Sequence, residues 1–315
     1  MRLSEYVKQP RLLWVFALFC AAMNGSCTPF IKLGYSSFGI APGDVGSQLL
    51  MAGTRFIVGS LLLFAIVGIG EHRLLLPSGR KSIGPIVLLT FTQTVLLHGL
   101  FYLGSAHATG AFAAIINGSA GFISILMATF VFRSEKMTLR KAVSCLLCLG
   151  SLLMMNKSGL ALGIHPSWKG EGLIFLALVA NGVSNNLIKR FSQQEDPSVL
   201  CFWQMNLGGI VLLTVGLLSG GRLTNITPGG LLILLHLSLV SATATSLMNV
   251  LLKYHPISRA NIFSLAIPLF GLLFSATLLH ETEQVFRLDT LFSVLLLVSG
   301  IVLVNLNGLR QEKNV

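Results

Sequence analysis

Long runs of apolar residues alternate with short polar segments along the whole chain. Ten of these runs contain about twenty residues, which is the length of helix that crosses a hydrocarbon core of roughly 30 Å. The pattern therefore predicts an all-α integral membrane protein with ten transmembrane helices. The predicted spans lie at about 12–34, 47–69, 83–104, 109–132, 138–156, 170–191, 197–219, 229–253, 258–279 and 287–307.

Positively charged residues orient these spans, because Lys and Arg flanks stay on the cytoplasmic side of a membrane. If the N-terminus is inside, the inner segments hold 16 of the 22 Lys and Arg residues, and the outer segments hold only five. Both termini are therefore predicted to be cytoplasmic, and we expect the bacterial inner membrane as the location.

Two stretches of sequence recur at one spacing. Asn24-Gly25 precedes Ile31-Lys32 in the first run, and Asn181-Gly182 precedes Ile188-Lys189 in the sixth run, 157 positions later. The match predicts two related halves of five spans each. The first half is 1–157, the connecting loop is 158–169 and the second half is 170–315.

An odd number of spans in each half has a consequence for orientation. The second half must begin on the opposite side of the membrane from the first, so the two repeats are inverted. Inverted repeats with a binding site near the membrane midplane recur in secondary transporters, which expose that site to either side in turn. The sequence therefore predicts transport by alternating access.

Composition agrees with a lipid environment and narrows the class. Charged residues make up 10% of the chain and hydrophobic residues 53%, whereas soluble domains average about 25% charged residues. The net charge of +11 does not indicate nucleic acid as a partner, because the positive residues lie singly in loops. No phosphate-binding G-x-x-x-x-G-K-[ST] loop occurs, so an ATP-driven pump is excluded. No cofactor is expected.

The chain resembles the drug/metabolite transporter superfamily, in particular its EamA-type members. The resemblance rests on five plus five spans, on Arg55-Phe56 in the second span, and on Glu135 and Glu281 at the ends of the fourth and ninth spans. Asn24-Gly25 stands where such proteins commonly carry Trp-Gly, which leaves the subfamily open. The resemblance implies that spans one, three, four, six, eight and nine line the pathway.

Polar side chains inside the spans are the candidate substrate contacts, since polar groups in hydrocarbon need a cavity or a partner helix. Several form stripes at helical spacing, such as Asn24 with Thr28 and Asn181 with Asn185. Such stripes favour a cavity, although interhelical hydrogen bonds would also explain them. The predicted substrate-binding residues are Asn24, Thr28, Gln93, His98, Asn117, Asn181, Ser184, Asn185, Thr245, Asn249, Asn261 and Ser264.

Four further residues are predicted to serve gating or structure. Arg55 is expected to snorkel toward the headgroups or to pair with another helix, with recognition of an anionic substrate as the alternative. Glu135 and Glu281 are expected to form salt bridges at opposite ends of the bundle. Pro268 can kink its helix.

Two other features receive a packing interpretation. Gly118-Ser119-Ala120-Gly121 is weakly similar to the G-x-S-G site of intramembrane proteases, but a small-residue edge that lets helices approach explains it more simply. Cys145 and Cys148 have the spacing of metal ligands, but no second ligand pair lies near them in the sequence. We therefore expect neither an enzyme nor a metal site.

The function expected from these features is secondary transport, as an exporter or exchanger, of a small polar metabolite such as an amino acid. No Asp or Glu lies at midspan, so the predicted pathway is polar but poor in fixed charge, which favours an uncharged or zwitterionic cargo. A passive facilitator or channel is the main alternative, and an intramembrane protease is a weaker one. The expected partners are the cargo and the lipid bilayer, with a second copy in a homodimer as a further candidate.

Overall fold

A computed structural model describes residues 7–41, 43–105, 107, 108, 116, 118–155, 167–278 and 288–311. The secondary-structure elements of these residues are all helices, and a helix lies at each of the ten predicted span positions. The helices are α1 Pro10–Phe38, α2 Val45–Ile69, α3 Arg80–Ser105, α4 Ala120–Val131, α5 Leu139–Met155, α6 Trp168–Phe191, α7 Pro197–Leu218, α8 Pro228–Tyr254, α9 Ile257–Asn261 continued by Ile262–Ala266 and Ile267–Leu278, and α10 Leu288–Gln311.

Six of these helices establish an integral membrane protein. Over the described residues, α1, α2, α3, α6, α7 and α8 are long and apolar enough to cross a membrane. The described parts of α4, α9 and α10 include shorter apolar helices, and α5 has 17 residues. The other four helices lie where spans were predicted. By length and hydropathy, six helices in the described part of the chain qualify as spans.

Helix starts follow from capping residues in the sequence. Asp44 accepts a hydrogen bond from Ser47 N at 2.9 Å at the start of α2. Asp196 accepts one from Ser198 N at 2.7 Å at the start of α7, where Pro197 occupies the first helical position. These side chains satisfy backbone N–H groups that have no partner within the helix, and proline loses nothing there. The caps therefore fix where the helices α2 and α7 begin.

Close approach of helices depends on glycine in two places. In the α2–α7 pair, a Cβ atom added at Gly209 would lie 3.0 Å from Gly53 O. In the α5–α10 pair, a Cβ atom at Gly300 would lie 2.8 Å from Ser144 O. Ser151 Oγ also donates to Ser293 O at 2.7 Å, and Cys148 lies buried between the same two helices. Packing therefore accounts for Cys148, as expected.

Glycines at matching positions in the two sequence repeats contact matching helices. Gly25 in α1 packs on α9, where an added Cβ atom would lie 2.9 Å from Gly271 N. Gly182 in α6 packs on α4, where it would lie 3.0 Å from Met127 Cγ. These glycines are 157 positions apart, and α4 and α9 are each the fourth helix of their half. In both places, therefore, the first helix of one half packs on the fourth helix of the other half.

A buried carboxylate holds one corner of the bundle outside the spans. Glu195, between α6 and α7, accepts hydrogen bonds from Ser78 N and Ser78 Oγ at 2.8 Å and from Ser82 Oγ at 2.5 Å. Burial raises the pKa of the Glu195 carboxyl, but these hydrogen bonds outweigh it and hold the pKa below its usual range. The ionised carboxylate therefore ties the loop before α3 to the α6–α7 corner.

We expect Glu195→Gln to lower the thermal stability of the detergent-purified protein at neutral pH. A carboxyl group with a lowered folded-state pKa contributes stability above its unfolded pKa, near 4.5, and that contribution is lost as the pH falls through the folded value. The difference in Tm between wild type and Glu195→Gln should therefore shrink as the pH falls below about 4.5. A difference that is the same at pH 7 and pH 4 would contradict this role.

Candidate functional site

A central cavity of about 310 Å³ lies among the helices. Its lining residues come from α1, α2, α3, α6, α7, α8 and α9 and from residues 118–124 at the start of α4. Nine of the twelve predicted substrate-binding residues line it. They are Asn24, Gln93, His98, Asn181, Asn185, Thr245, Asn249, Asn261 and Ser264.

The other three predicted contacts have different outcomes. Ser184 is buried and donates to Ala180 O at 2.8 Å within its own helix. It does not line the cavity, because a serine in a helix can satisfy its hydroxyl group on the carbonyl oxygen four residues earlier. Asn117 and the side chain of Thr28 lie outside the described residues.

Two π-helical turns border the cavity, whereas those at Phe64–Ile69, Met127–Val131 and Trp168–Gly172 do not line it. The third helix of each half contains a π-helical turn, Thr90–Leu96 in α3 and Ser241–Thr245 in α8. Gln93 and Thr94 line the cavity from the first turn, and Ala244 and Thr245 line it from the second. Such turns are rare and frequently occur at functional sites, since the wider turn changes the direction of side chains.

The helix α9 changes its winding where it borders the cavity. A 3-10 segment, Ile262–Ala266, interrupts it just before Pro268. The proline ring clashes with the carbonyl group four residues earlier and supplies no N–H group, so the regular α-helix is disturbed there. Asn261 directly precedes this segment and Ser264 lies within it, and both line the cavity, as does Pro268 itself. The irregular winding before Pro268 is therefore part of the cavity wall.

Arg55 lies inside the bundle and lines the cavity. Its Nε donates to Ser241 Oγ at 2.7 Å, and its guanidinium carbon lies 5.1 Å from the centre of the Phe56 ring. The residue is 8% exposed. The expectation that Arg55 snorkels to the headgroups is therefore wrong, because the side chain is held within the bundle by α8. The alternative expectation, an interhelical partner, is met by Ser241.

Four amide side chains in the cavity wall carry buried atoms that have no hydrogen-bond partner among the described residues. These atoms are Gln93 Oε1, both polar atoms of Gln204, Asn249 Nδ2 and Asn261 Nδ2. Gln204 and Asn249 are each 1% exposed and Asn261 is 3% exposed. A buried polar group without a partner costs about 1–3 kcal/mol. The arrangement is suited to a polar ligand, which would satisfy these groups from within the cavity.

Two other cavity amides are partly occupied by packing. Asn24 Nδ2 donates to Cys20 O at 2.8 Å in its own helix. Asn185 Nδ2 donates to Ser124 Oγ at 2.9 Å and so links α6 to α4. The packing alternative left open by the sequence therefore holds for the Nδ2 groups of these two residues.

One wall of the cavity is aromatic. Phe56, Phe101 and Tyr102 line it together with His98. The His98 ring meets Phe56 edge to face with centroids 4.5 Å apart, and its Nδ1 lies 3.1 Å from Thr94 O. The cavity thus combines an aromatic wall with amides and one arginine. Its described lining contains no acidic side chain.

Glu135 forms a polar cluster at one end of the bundle, in the segment between α4 and α5. Lys141 Nζ donates to it at 2.8 Å and Ser258 Oγ at 2.5 Å. Burial raises the pKa of the Glu135 carboxyl. The two donors lower it by more than burial raises it, and so keep the pKa below its usual range. The expected salt bridge of Glu135 is present. Glu281 lies outside the described residues.

The sequence run around Ser119 acts in packing. Ser119 Oγ donates to Ile116 O at 2.6 Å, close to it in the chain. A Cβ atom at Gly118 would lie 2.8 Å from Leu152 and 3.0 Å from Pro268, and Gly121 packs against Asn261 in the same way. The small-residue edge predicted from the sequence is therefore the contact surface of α4.

Gln204 is a cavity residue that the sequence reasoning missed. It lies in α7, which, like α2, was not among the six spans assigned to the pathway, yet both helices contribute to the lining. A glutamine at midspan was itself a signal, because its amide group must find partners in hydrocarbon. Neighbouring Asn206 has such a partner, since its Nδ2 donates to Ser60 Oγ at 3.0 Å.

No group of three or more His, Cys, Asp or Glu side chains that could hold a metal ion occurs in the described part of the chain. The model of the EamA-like transporter family matches residues 12–157 and again 168–306. A solved crystal structure of a protein that is 16% identical superposes with a TM-score of 0.74, over 94% of this chain and 97% of the other. No curated protein gives a significant match.

Proposed function

Since this chain belongs to the EamA-like transporter family, we propose that it is a secondary transporter that moves a small polar metabolite by alternating access, as an exporter or exchanger. The proposal includes ten spans arranged as two inverted repeats, 1–157 and 170–315. It also places both termini in the cytoplasm and the protein in a bacterial inner membrane, according to the distribution of Lys and Arg.

The observation that carries the proposal is the position of the central cavity between the two halves. Unpartnered amide atoms reach it from both halves, Gln93 from the first and Gln204, Asn249 and Asn261 from the second. A site shared by inverted repeats is what alternating access requires, because movement of one half against the other then changes which side the site faces. The matching contacts of Gly25 with α9 and of Gly182 with α4 support such a movement, because the two halves contact each other through equivalent helices.

The size and lining of the cavity indicate the kind of cargo. A volume of about 310 Å³ lies at the small end of known ligand pockets. Amide groups provide hydrogen bonds, and the aromatic wall provides an apolar surface. These properties favour a cargo about the size of an amino acid, with polar groups and a modest apolar part.

Transport into liposomes that contain the purified protein tests the proposal. We expect uptake that saturates with cargo concentration and that is accelerated by unlabelled cargo inside the vesicles, because exchange is faster than return of an empty carrier. Uptake that remains proportional to concentration would instead indicate the passive facilitator or channel.

Two single substitutions on α7, compared with each other, test whether the cavity binds the transported cargo. Gln204→Leu should raise the KM for the cargo several-fold, up to about tenfold, since a hydrogen bond contributes about 0.5–1.5 kcal/mol. Asn206→Leu, two residues away and bonded to Ser60 outside the cavity, should alter stability and leave KM unchanged. Equal KM values for the wild type and Gln204→Leu would contradict a role of Gln204 in binding.

A further inference from the structure

We propose that Arg55 binds a carboxylate group of the cargo, so that the transported class is small carboxylates, with or without an amino group. This inference rests on the proposed function and narrows it. It replaces the broad class of polar metabolites by compounds with one defined chemical group, and it excludes any cargo that lacks a carboxylate group.

The charge of Arg55 has no acidic partner among the described residues. No acidic side chain in the described part of the chain forms an ion pair with it, and none lines the cavity. An arginine in a membrane-spanning helix is costly, by at least about 2.5–3.5 kcal/mol at the helix centre. Its retention beside a cavity is explained if a negatively charged cargo group completes the pair.

The guanidinium group has donors to spare. It offers five N–H donors, of which Nε is bound to Ser241 Oγ at 2.7 Å. Within the described part of the chain Nη2 is paired with Cys27 Sγ, at 3.9 Å, and a thiol is a weak acceptor. The outer edge of the guanidinium group can therefore donate two parallel hydrogen bonds to a carboxylate, the strongest geometry available to arginine.

Ser241 fixes the direction of the guanidinium group. Its hydroxyl donates to Leu237 O at 3.0 Å and accepts from Arg55 Nε, so its hydrogen is already used and its oxygen is turned to the arginine. Ser241 is the first residue of the π-helical turn in α8. The guanidinium carbon also lies over the Phe56 ring, 5.1 Å from its centre. These contacts preorganise Arg55 for a planar anion.

The rest of the cavity suits the remainder of such a molecule. The amide groups of Gln204, Asn249 and Asn261 have unpartnered buried N–H donors, which can bind a hydroxyl, keto or second carboxylate oxygen. An isolated ammonium group would find no acidic partner in the described lining. Charge complementarity therefore selects against cations that lack a carboxylate.

Ligand-dependent thermal stabilisation of the purified protein tests the inference without using transport. A ligand that binds only the folded state raises stability by RT ln(1 + [L]/Kd). The probes are a set of neutral amino acids, the corresponding 2-hydroxy acids, and the corresponding amides and amines that lack the carboxylate. We expect Tm to rise with members of the first two groups and not with the amides or amines. The comparison of amino acids with hydroxy acids shows whether an ammonium group is also needed.

Substitutions at Arg55 give the second readout. Arg55→Met should lose the carboxylate-dependent rise in Tm, and Arg55→Lys should keep a part of it, since lysine retains the charge without the bidentate geometry. Arg222→Met, which removes an exposed arginine outside the cavity, should respond as the wild type does. If Arg55→Met does not fold, the comparison of probes on the wild type and Arg55→Lys decides the matter.

The possible outcomes separate this inference from the proposed function. Equal stabilisation by carboxylates and their amides, an unchanged response of Arg55→Met, or no carboxylate-dependent shift with any probe would overturn the role of Arg55. Saturable transport of a cargo that has no carboxylate group would overturn it too, while the transporter assignment would stand. Carboxylate binding through Arg55 without saturable flux would support the binding site and contradict alternating access.

Discussion

Gly121→Val should abolish transport and lower the free energy of unfolding by about 1–3 kcal/mol, as overpacked sites do. At this position α4 crosses α9 so closely that an added Cβ atom would overlap with Asn261 O and Ser264 Oγ. Both residues line the cavity. The substitution therefore displaces the cavity wall as well as the helix, and its effect on transport should exceed its effect on folding. Thermal unfolding in detergent and flux in liposomes measure the two effects.

Gly99→Val is the matched control. Gly99 also lies in a membrane-spanning helix, α3, but no described atom lies within 4 Å of a Cβ atom added there. The same side chain should therefore be tolerated at Gly99, with stability and flux close to those of the wild type. If the Gly121 variant behaved like the Gly99 variant, the close crossing of α4 and α9 would not be required for either folding or transport.

The positions of the helices could be predicted because the thickness of the bilayer limits them. Every span of a membrane protein must cover the same hydrocarbon layer and must satisfy its backbone internally, so apolar run length is a direct measure. The polar stripes were informative for the same reason. Asn24, Asn181 and Asn249 reach the cavity, since an amide group at midspan cannot face lipid without cost.

The faces of α2 and α7 could not be predicted in this way. Lipid and protein interior are both apolar, so an apolar helix carries no pattern that distinguishes its buried side from its lipid side. Arg55 and Gln204 were the only cues to a cavity-facing side in these two helices. The direction of the Arg55 side chain depends on Ser241, which is 186 positions away in the sequence. Only the packed structure provides that partner.

The π-helical turns at Thr90–Leu96 and Ser241–Thr245 were likewise beyond the sequence analysis. A π-helical turn inserts one residue without changing the hydrophobicity of a run, so a count of apolar residues cannot detect it. Ser241, which binds Arg55 Nε, is the first residue of such a turn. The residues of the candidate site were therefore largely predictable, whereas its charge arrangement was not.

Glu135→Gln should loosen the end of the bundle at which α4, α5 and α9 meet. The carboxylate binds Lys141 at 2.8 Å and Ser258 at 2.5 Å, and its side chain is 8% exposed. Hydrogen bonds to charged groups contribute about 1.5–3 kcal/mol, and glutamine retains the shape without the charge. Ser258 lies at the start of α9, three residues before Asn261. Release of Ser258 therefore frees the helix that carries part of the cavity wall.

By the proposed orientation this end is cytoplasmic, and we expect the Glu135 cluster to keep it closed. Loss of about 1.5 kcal/mol from the closed state corresponds to roughly a tenfold larger population of open molecules. A cysteine at Ala260, which is fully buried beside the cluster, reports this opening after the five native cysteines have been replaced. We expect a maleimide to label Ala260→Cys about tenfold faster when Glu135→Gln is present than when it is absent.

An exposed pair of the same chemistry separates gating from general loss of charge. Glu71 binds Arg73 at 2.6 Å, but its side chain is 46% exposed, and exposed ion pairs contribute little. Glu71→Gln should therefore leave the labelling rate of Ala260→Cys unchanged. If Glu135→Gln left it unchanged as well, the cluster would only support the fold. Faster labelling with Glu135→Gln alone would mean that the carboxylate controls access to the cavity, because loss of its bond to Ser258 releases the start of α9, which carries Ala260 and Asn261.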